Sequence, residues 1–384
     1  MKIAIPKERR PHENRVAATP DTVKKFVGLG LDVVVETGAG KGASIPDAAF
    51  TEAGARIAGD AAATLGQADI VLKVQRPSTG VEEGPDELGM IKKGAVLIGM
   101  LSPYGDTAAV ASYAEAGIDA FAMEFVPRIT RAQGMDVLSS QSNLAGYKAV
   151  IEAAARFGRA MPMMMTAAGT VAPARVMVLG AGVAGLQAIA TARRLGAIVS
   201  ATDVRPAAKE QVESLGASFV MVESEESEQA ETAGGYAREM SDDYKRRQAE
   251  LVAETVKKQD IIICTALVPG RPAPLLISGQ MVRSMRPGSV IVDLAVESGG
   301  NCALSKAGEV VDVDGVAIMG HLNAPSRIAV DASALYAKNL LHFLSPLIDS
   351  GTGTLNIDWE DEIITGTALT RDGAVIHPAL TGEK

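Results

Sequence analysis

A glycine-rich turn in the middle of the chain constrains the fold more than any other feature of the sequence. The apolar run Arg175–Leu179 is followed at once by glycines spaced as GxGxxG, and an amphipathic stretch from Leu186 to Arg194 comes next. This order of strand, turn and helix is typical of a βαβ unit whose helix N-terminus binds a pyrophosphate. The sequence therefore predicts a dinucleotide site on the turn, which comprises Gly180, Ala181, Gly182, Val183, Ala184 and Gly185.

An acidic residue after the next apolar run indicates which dinucleotide this site prefers. Asp203 follows the run Ile198–Thr202, where a carboxylate can accept hydrogen bonds from both adenosine ribose hydroxyls and repel a 2′-phosphate. Arg205 could pair with such a phosphate, but we interpret it as a solvated surface arginine, free to stack on adenine. We therefore expect NAD(H) as the cofactor, with Asp203, Val204 and Arg205 at its adenosine end.

Two series of short apolar runs alternate with helix-like stretches and predict an α/β fold. The first series begins at Ile3–Ile5 and the second at Arg175, and alternation of this kind is typical of parallel sheets. Two long stretches rich in Ala and Leu, Asn143–Phe157 and Ile328–Leu347, lie between the series and after the second. We predict two Rossmann-like parallel-sheet domains joined by these two long helices, with a nucleotide cleft between the domains.

The length of 384 residues exceeds what one ordinary core accommodates, which also favours two domains. We place residues 1–140 and 328–384 in the first domain, and residues 141–327 in the second, which binds the nucleotide. Thr19, followed by Pro20, is predicted to cap the first helix.

Charge and composition exclude several kinds of partner and site. A net charge of −9 without a basic cluster argues against nucleic acid. No apolar run reaches about 18 residues without a charge, and the apolar start of the chain is too short for a signal peptide, so we expect a cytoplasmic protein. Cys264 lies inside an apolar run and the four histidines are scattered. We therefore expect neither a disulfide nor a metal site.

A polar segment, residues 223–245, breaks the alternation of strands and helices. It is acidic at its start and contains Gly234 and Gly235 beside Tyr236. Paired glycines can act as hinges, so the segment could be a lid that closes on the nucleotide. A solvated acidic linker is the alternative interpretation.

Two longer strings carry a family resemblance. One is IPKERRPHENRVAATP, from Ile5 to Pro20, and the other is VMVLGAGVAGLQAIATA, from Val176 to Ala192. They are similar to the two signatures of the family that contains alanine dehydrogenase and the proton-translocating nicotinamide nucleotide transhydrogenases. The similarity in element order extends over nearly the whole chain.

The acid/base residues decide between the two activities of that family. For an alanine dehydrogenase, the resemblance implies that Arg15 and Lys73 hold a substrate carboxylate beside a catalytic histidine and aspartate. This chain reads MLSPY at residues 100–104, where the histidine would stand, and has Glu297 in place of the aspartate. Oxidation of an amino acid needs a positioned acid/base, whereas hydride transfer between two nicotinamides moves no proton. We therefore favour a transhydrogenase, with an alanine dehydrogenase and a non-catalytic NAD-binding module as the alternatives.

The transhydrogenase resemblance implies a set of residues around the nicotinamide. The string from Arg128 to Ser140 is similar to the transhydrogenase stretch whose Arg, Gln and Asp lie by the nicotinamide and its ribose, so Arg128, Gln133 and Asp136 are the catalytic candidates. Tyr236 also matches the transhydrogenase pattern, which favours the lid. The further residues that we expect at the nucleotide are Val137, Leu138, Ser139, Gly235, Tyr236, Thr265, Ala266 and Leu267.

The resemblance also implies partners for the chain. We expect the NAD(H)-binding component of a Re/Si-specific NAD(P)+ transhydrogenase, which transfers a hydride between NADH and NADP+ held on a separate partner domain. A membrane proton-channel subunit would couple this step to proton movement. The component is expected to be a homodimer, peripheral to the inner membrane through these partners.

Overall fold

The computed structural model describes residues 1–82, 84–205, 207–222, 241–268, 270–349 and 351–382. The chain divides into two compact units, one formed by Met1–Gln141 together with Pro325–Lys384 and the other by Ser142–Ala324. Each unit is built around its own mainly parallel sheet. The α/β class with parallel sheets that the sequence predicts is therefore confirmed.

Six parallel strands form the sheet of the first unit, as far as that unit is described. They are β1 (Lys2–Ile5), β2 (Asp32–Glu36), β3 (Arg56–Ala58), β4 (Ile70–Gln75), β5 (Val96–Met100) and β6 (Asp119–Ala122), and they lie in the order β3-β2-β1-β4-β5-β6. Because β2 and β4 flank β1, the strand order reverses at β1. Loops that leave the carboxyl ends of β1 and β4 diverge at that point, which is where open α/β sheets form crevices.

Helices cover both faces of this sheet. Those that precede the second unit are α1 (Pro20–Gly28), α2 (Asp47–Glu52), α3 (Ala61–Leu65), α4 (Glu87–Met90), α5 (Thr107–Glu115) and the first residues of α6 (Val137–Arg156). Alternate residues of β1 face opposite cores, since Ile3 and Ile5 pack in one buried cluster and Ala4 in the other. Thr19 caps α1 through its side chain, and Pro20 occupies the first helical turn, as the sequence predicts.

The sheet of the second unit has seven strands within the described residues. The unit begins with a separate hairpin, β7 (Met164–Thr166) and β8 (Gly169–Val171), and the sheet then comprises β9 (Arg175–Leu179), β10 (Ile198–Thr202), β11 (Ser218–Phe219), β12 (Ile261–Cys264), β13 (Val290–Asp293), β14 (Val310–Val313) and β15 (Val316–Met319). Its order is β11-β10-β9-β12-β13-β15-β14. The order reverses at β9, so the glycine turn that follows β9 lies at the switch point of a dinucleotide-binding fold.

The helices of this unit are the remainder of α6, α7 (Val183–Arg194), α8 (Ala207–Ser214), α9 (Asp242–Val256) and α10 (Gly279–Ser284). The edge strand β14 is antiparallel to β15, a hairpin that the alternation of apolar runs did not predict. Asp314 and Gly315 form its turn, and both have positive φ, the geometry of a two-residue hairpin. An Asp-Gly pair between two apolar runs was the available signal.

The chain then returns to the first unit, which it completes with α11 (Ala329–Leu344), α12 (Glu362–Thr367), β16 (Thr370–Arg371), β17 (Ala374–Val375) and α13 (Pro378–Thr381). The helix α11 contributes Tyr336, Leu340 and Phe343 to the core beside β1. Helix α6 spans the division after Gln141, whereas α11 lies wholly in the first unit.

Candidate functional site

The glycine turn has the geometry that its spacing predicts. Gly180 has φ +95°, and a Cβ there would lie 2.9 Å from Oγ1 of Thr265. A Cβ on Gly185 would lie only 1.9 Å from the carbonyl oxygen of Gly180, so α7 packs against the turn more closely than any side chain permits. A Cβ on Gly182 would meet no protein atom within 4 Å. Gly182 therefore faces open space, where a phosphate can approach the backbone.

The N-terminus of α7 is suited to an anion. Gly182 is its N-cap and, as far as the chain is described, no side-chain hydrogen bond caps this end. The first N–H groups of a helix have no partner within the helix, and the helix dipole adds positive potential there. The residues Gly182, Val183, Ala184 and Gly185 thus fit a pyrophosphate.

Asp203 is tied to the glycine turn and to Arg205. Its carboxylate accepts the backbone N–H of Ala181 at 2.7 Å, and Nε and Nη2 of Arg205 each donate to it at 2.9 Å. Burial acts to raise the pKa of Asp203, but the hydrogen bonds and charge of Arg205 outweigh it and lower that pKa. The carboxylate is therefore ionised and held in place beside the turn.

The interpretation of Arg205 as a solvated side chain is wrong. Its side chain is 24% exposed and forms the ion pair with Asp203. The reason is the two-residue spacing, which lets the backbone N–H of Arg205 also donate to Oδ1 of Asp203 at 2.9 Å. A ribose diol would have to share this carboxylate with the guanidinium or displace it.

The third side of the turn is formed by the backbone after β12. The hydroxyl of Thr265 donates to the carbonyl oxygen of Gly180 at 2.9 Å. The side chain of Asn301 accepts from the backbone N–H of Ala266 at 3.0 Å and donates to its carbonyl oxygen at 2.9 Å. Leu267, next along the chain, is 49% exposed. Asn301 is fully buried and was not predicted, because nothing in its local sequence points to a contact 35 residues away.

Residues 128–139, which we call the 128–139 loop, lie in the first unit and combine buried anchors with exposed polar side chains. Ala132, Met135 and Val137 are buried, whereas Arg128 and Gln133 are exposed. Leu138 is 40% exposed. The loop therefore presents Arg128 and Gln133 outward from an apolar footing.

Asp136 has a defined structural task in this loop. Its Oδ1 accepts the backbone N–H of Ser139 at 2.9 Å, and its Oδ2 accepts the Ser139 hydroxyl. Asp136 thus caps the start of α6, a role for which aspartate is favoured. The resemblance predicted Asp136 and Ser139 as neighbours of the nicotinamide, and the structure shows that they bind each other.

Contacts from α11 hold the same loop and were not predicted. The carbonyl oxygen of Gly134 accepts Nδ2 of Asn339 at 2.8 Å and lies 3.0 Å from Nδ1 of His342. At the loop surface Arg131 forms a bidentate ion pair with Asp361, with distances of 2.7 and 2.8 Å. These partners lie about 200 residues away along the chain, so no local pattern reveals them.

The two cations expected of an amino-acid site are paired with carboxylates of the protein. Arg15 donates to both oxygens of Glu13, at 2.8 and 2.7 Å. The ammonium of Lys73 lies 3.0 Å from both oxygens of Glu87 and 3.3 Å from Glu8. Arg15 and Lys73 are 4% and 1% exposed. Both positive charges are therefore balanced inside the protein.

Burial and charge act in opposite directions on the two glutamates around Lys73. Burial raises the pKa of Glu8, and the charge of Lys73 offsets this rise only in part. Burial also acts to raise the pKa of Glu87, but Lys73 and a backbone hydrogen bond from Ser78 outweigh it, so that pKa is lowered. Glu87 is therefore the ionised partner of Lys73.

The positions of the missing acid/base residues hold other contacts. Tyr104, in the string that replaces the histidine, is 53% exposed and packs edge-on against Phe125, with 4.9 Å between the ring centroids. Glu297 is exposed, and its Oε2 accepts the backbone N–H of Asn323 at 3.0 Å. Neither position supplies a residue equivalent to the histidine or aspartate.

Some expectations concern other parts of the chain. Gly235 and Tyr236, and with them most of the proposed lid, lie outside the described residues. Across the described ranges, no group of three or more His, Cys, Asp or Glu side chains is arranged to hold a metal ion. Within that portion of the chain, no helix combines the length and apolar character needed to cross a bilayer.

Comparisons with known proteins agree with the site. The family profile for the N-terminal domain of alanine dehydrogenase/PNT matches residues 4–145, and that for the C-terminal domain matches residues 149–378. An NAD(P) transhydrogenase subunit alpha chain of Rhodospirillum rubrum is 62% identical over 383 residues, which cover all of both chains. A transhydrogenase structure from Sinorhizobium meliloti has a TM-score of 0.88 and 55% identity, covering 98% of this chain and 100% of the other. The alanine dehydrogenase of Halomonas elongata is 33% identical over 394 residues, which cover 99% of this chain and 96% of that protein. The chain therefore belongs to the alanine dehydrogenase/PNT family, as its two signature strings predict.

Proposed function

We propose that the chain is the NAD(H)-binding component of an NAD(P)+ transhydrogenase, and that it transfers a hydride between NADH and NADP+ held by a separate partner. The observation that carries this proposal is the internal pairing of Arg15 with Glu13 and of Lys73 with Glu87. An enzyme that oxidises alanine needs a cation for the substrate carboxylate and an acid/base for its amino group. Here the candidate cations are already neutralised.

The residues of the second unit fit the nucleotide. The open space beside Gly182 and the uncapped start of α7 suit a pyrophosphate, and the ionised Asp203 suits a ribose diol. Thr265, Ala266 and Leu267 would border the same turn. The carboxylate favours NAD(H) because it would repel a 2′-phosphate.

Residues of the 128–139 loop are proposed to orient the nicotinamide. Arg128 and Gln133 are exposed polar side chains on a firmly anchored backbone, and Asp136 fixes the start of α6 next to them. Bound NADH supplies the hydride, and the protein contributes alignment, since the step moves no proton. These side chains would act by holding the ring so that its reacting carbon faces the acceptor.

The partners also belong to the proposal. Relatives named as subunit alpha support an assembly with an NADP(H)-binding domain and a membrane subunit that couples Re/Si-specific transfer to proton movement. In that assembly the chain would be peripheral to the inner membrane. We also propose a homodimer, to be tested by light scattering, for which the exposed hairpin β7–β8 offers apolar surface: Met163 is 59%, Met164 43% and Met165 79% exposed.

A single set of assays separates this function from its alternatives. The purified chain, mixed with an NADP(H)-binding partner, should reduce the NADP+ analogue thio-NADP+ at the expense of NADH. NADH with pyruvate and ammonia should show no oxidation beyond the rate without protein. Alanine formation would establish a dehydrogenase instead, and NADH binding without transfer to the partner would leave a non-catalytic binding module.

A further inference from the structure

A chain of side-chain hydrogen bonds runs through the first unit to the carbonyl group of Gly134. The Arg15 guanidinium donates through Nη1 to Oε1 of Gln141 at 2.8 Å. Gln141 donates through Nε2 to the hydroxyl of Ser140 at 3.3 Å, and that hydroxyl lies 2.8 Å from Oδ1 of Asn339. Asn339 donates through Nδ2 to the Gly134 carbonyl oxygen at 2.8 Å. We call these four bonds the hydrogen-bond chain.

Every link of the hydrogen-bond chain runs in one direction. A guanidinium can only donate and a carbonyl oxygen can only accept, so the amides of Gln141 and Asn339 each have one permitted orientation. Arg15, Gln141 and Asn339 are 4%, 5% and 7% exposed, which limits competition from water. Bonds aligned in this way polarise one another and resist rearrangement.

The starting point of the hydrogen-bond chain is itself fixed. Both oxygens of Glu13 accept from Arg15, and the side chain of Glu13 is fully buried. Gln75 at the end of β4 also donates to Oε2 of Glu13 at 2.7 Å. The charge pair that makes Arg15 unsuitable for a substrate carboxylate thus anchors it for another task.

The end point of the hydrogen-bond chain locates the 128–139 loop. Gly134 is the residue after Gln133, and a Cβ on it would lie 2.5 Å from Nδ1 of His342. The Gly134 backbone is therefore held between Asn339 and His342 with little room to shift. Its position sets where the exposed Gln133 side chain is presented.

We infer that Arg15, Gln141, Ser140 and Asn339 are positioning residues for the hydride-transfer step, acting through the backbone of Gly134. This inference rests on the proposed function, because Gln133 is assigned to the nicotinamide there. A misplacement of about 1 Å in a reacting group can slow a reaction by about a hundredfold. The hydrogen-bond chain would therefore affect rate while leaving most nucleotide contacts unchanged.

Substitution of Ser140 by alanine tests the inference, because it removes the middle link and little volume. Ser112→Ala in α5 is the matched control: like Ser140, Ser112 donates to the carbonyl oxygen three residues earlier, and no further side-chain partner for it occurs among the described residues. Ser140→Ala should slow hydride transfer roughly five- to tenfold and leave NADH affinity within about twofold. Ser112→Ala should change neither. Asn339→Leu, which removes the last link, should slow transfer at least as much.

A second measurement does not depend on activity. The chain has four histidines, so the ring signals of His342 can be followed by NMR with labelled histidine and assigned with a His342→Gln variant. Ser140→Ala should shift the His342 signals, and Ser112→Ala should not. Unshifted signals in both Ser140→Ala and Asn339→Leu would overturn the inference.

The two failures can be told apart. An active wild-type protein whose transfer rate is unchanged by Ser140→Ala and Asn339→Leu would overturn the positioning role alone. Equal losses of rate and NADH affinity would also overturn it, because they would indicate a general structural effect. A wild-type protein that binds NADH but transfers no hydride to a competent partner would overturn the proposed function itself.

Discussion

Alanine substitutions at two glycines of the turn, Gly182 and Gly185, should have opposite consequences. The Cβ of Gly182→Ala meets no protein atom within 4 Å, and the φ of −75° at this residue suits alanine. The free energy of unfolding should therefore change by less than about 1 kcal/mol, since loss of glycine entropy in the unfolded chain offsets small strain. NADH binding should fall sharply, because the methyl group occupies the space proposed for the pyrophosphate.

The size of the binding loss follows from the contacts at stake. Hydrogen bonds to charged groups contribute about 1.5–3 kcal/mol each, so losing one such bond to the pyrophosphate should raise the NADH dissociation constant roughly 10- to 150-fold. For Gly185→Ala the Cβ would lie 1.9 Å from the Gly180 carbonyl oxygen and 2.8 Å from its carbon. Backbone must then move, and such overpacking costs about 1–3 kcal/mol of stability or more.

Urea unfolding and NADH fluorescence titration measure the two quantities separately. Gly158→Ala is the control, since a Cβ there also meets no atom within 4 Å and lies outside the turn; it should alter neither stability nor binding. Unimpaired NADH binding by Gly182→Ala would refute the placement of the pyrophosphate on this turn. A Gly185→Ala protein as stable as the wild type would refute the argument from close packing.

Three further predictions concern single carboxylate or amide side chains. Asp203→Ala should weaken NADH binding and narrow its advantage over NADPH in equilibrium titrations; a wild-type protein that binds both equally would contradict the assignment to NAD(H). Gln133→Ala should lower the single-turnover hydride-transfer rate far more than NADH affinity, and equal losses would indicate a simple binding role. Although burial raises the pKa of Glu82, hydrogen bonds that include those from Arg76 and Arg10 lower it from 4.5 to about 2, so its stabilising effect is complete above pH 4.5 and is lost as the pH falls toward 2. Glu82→Gln should therefore lower the free energy of unfolding at pH 7 by on the order of 2 kcal/mol, and a deficit of the same size in urea unfolding at pH 2 would contradict this explanation.

Local patterns were sufficient to predict the sheets and the turn. The GxGxxG string, the capping Thr19 and the alternating apolar runs each act over a few residues, where backbone preference and burial decide the structure. The family and the position of Asp203 also follow from short strings. Site roles for Arg128 and Gln133 remain predictions.

Contacts between distant parts of the chain could not be predicted in this way. Asn301 reaches Ala266, and Asn339 reaches Gly134 across 205 residues. Arg205 was misinterpreted because its sequence position permits both a solvated side chain and an ion pair with Asp203, and only the folded backbone selects between them. Buried polar side chains find partners wherever the fold supplies them, and sequence spacing carries no record of that choice.

The buried ion pairs of the first unit also constrain how this family can diverge. Converting such a chain to amino-acid oxidation requires more than a histidine at Ser102, because the charges of Arg15 and Lys73 must first be released from Glu13 and Glu87. Removal of one partner from a buried pair typically costs about 3–5 kcal/mol, a large part of the roughly 5–15 kcal/mol that keeps a domain folded. Single-step mutants along that route would therefore tend to unfold before they gain a new substrate. An evolutionary or laboratory path between the two activities needs paired replacements, in which a glutamate is lost together with a compensating change.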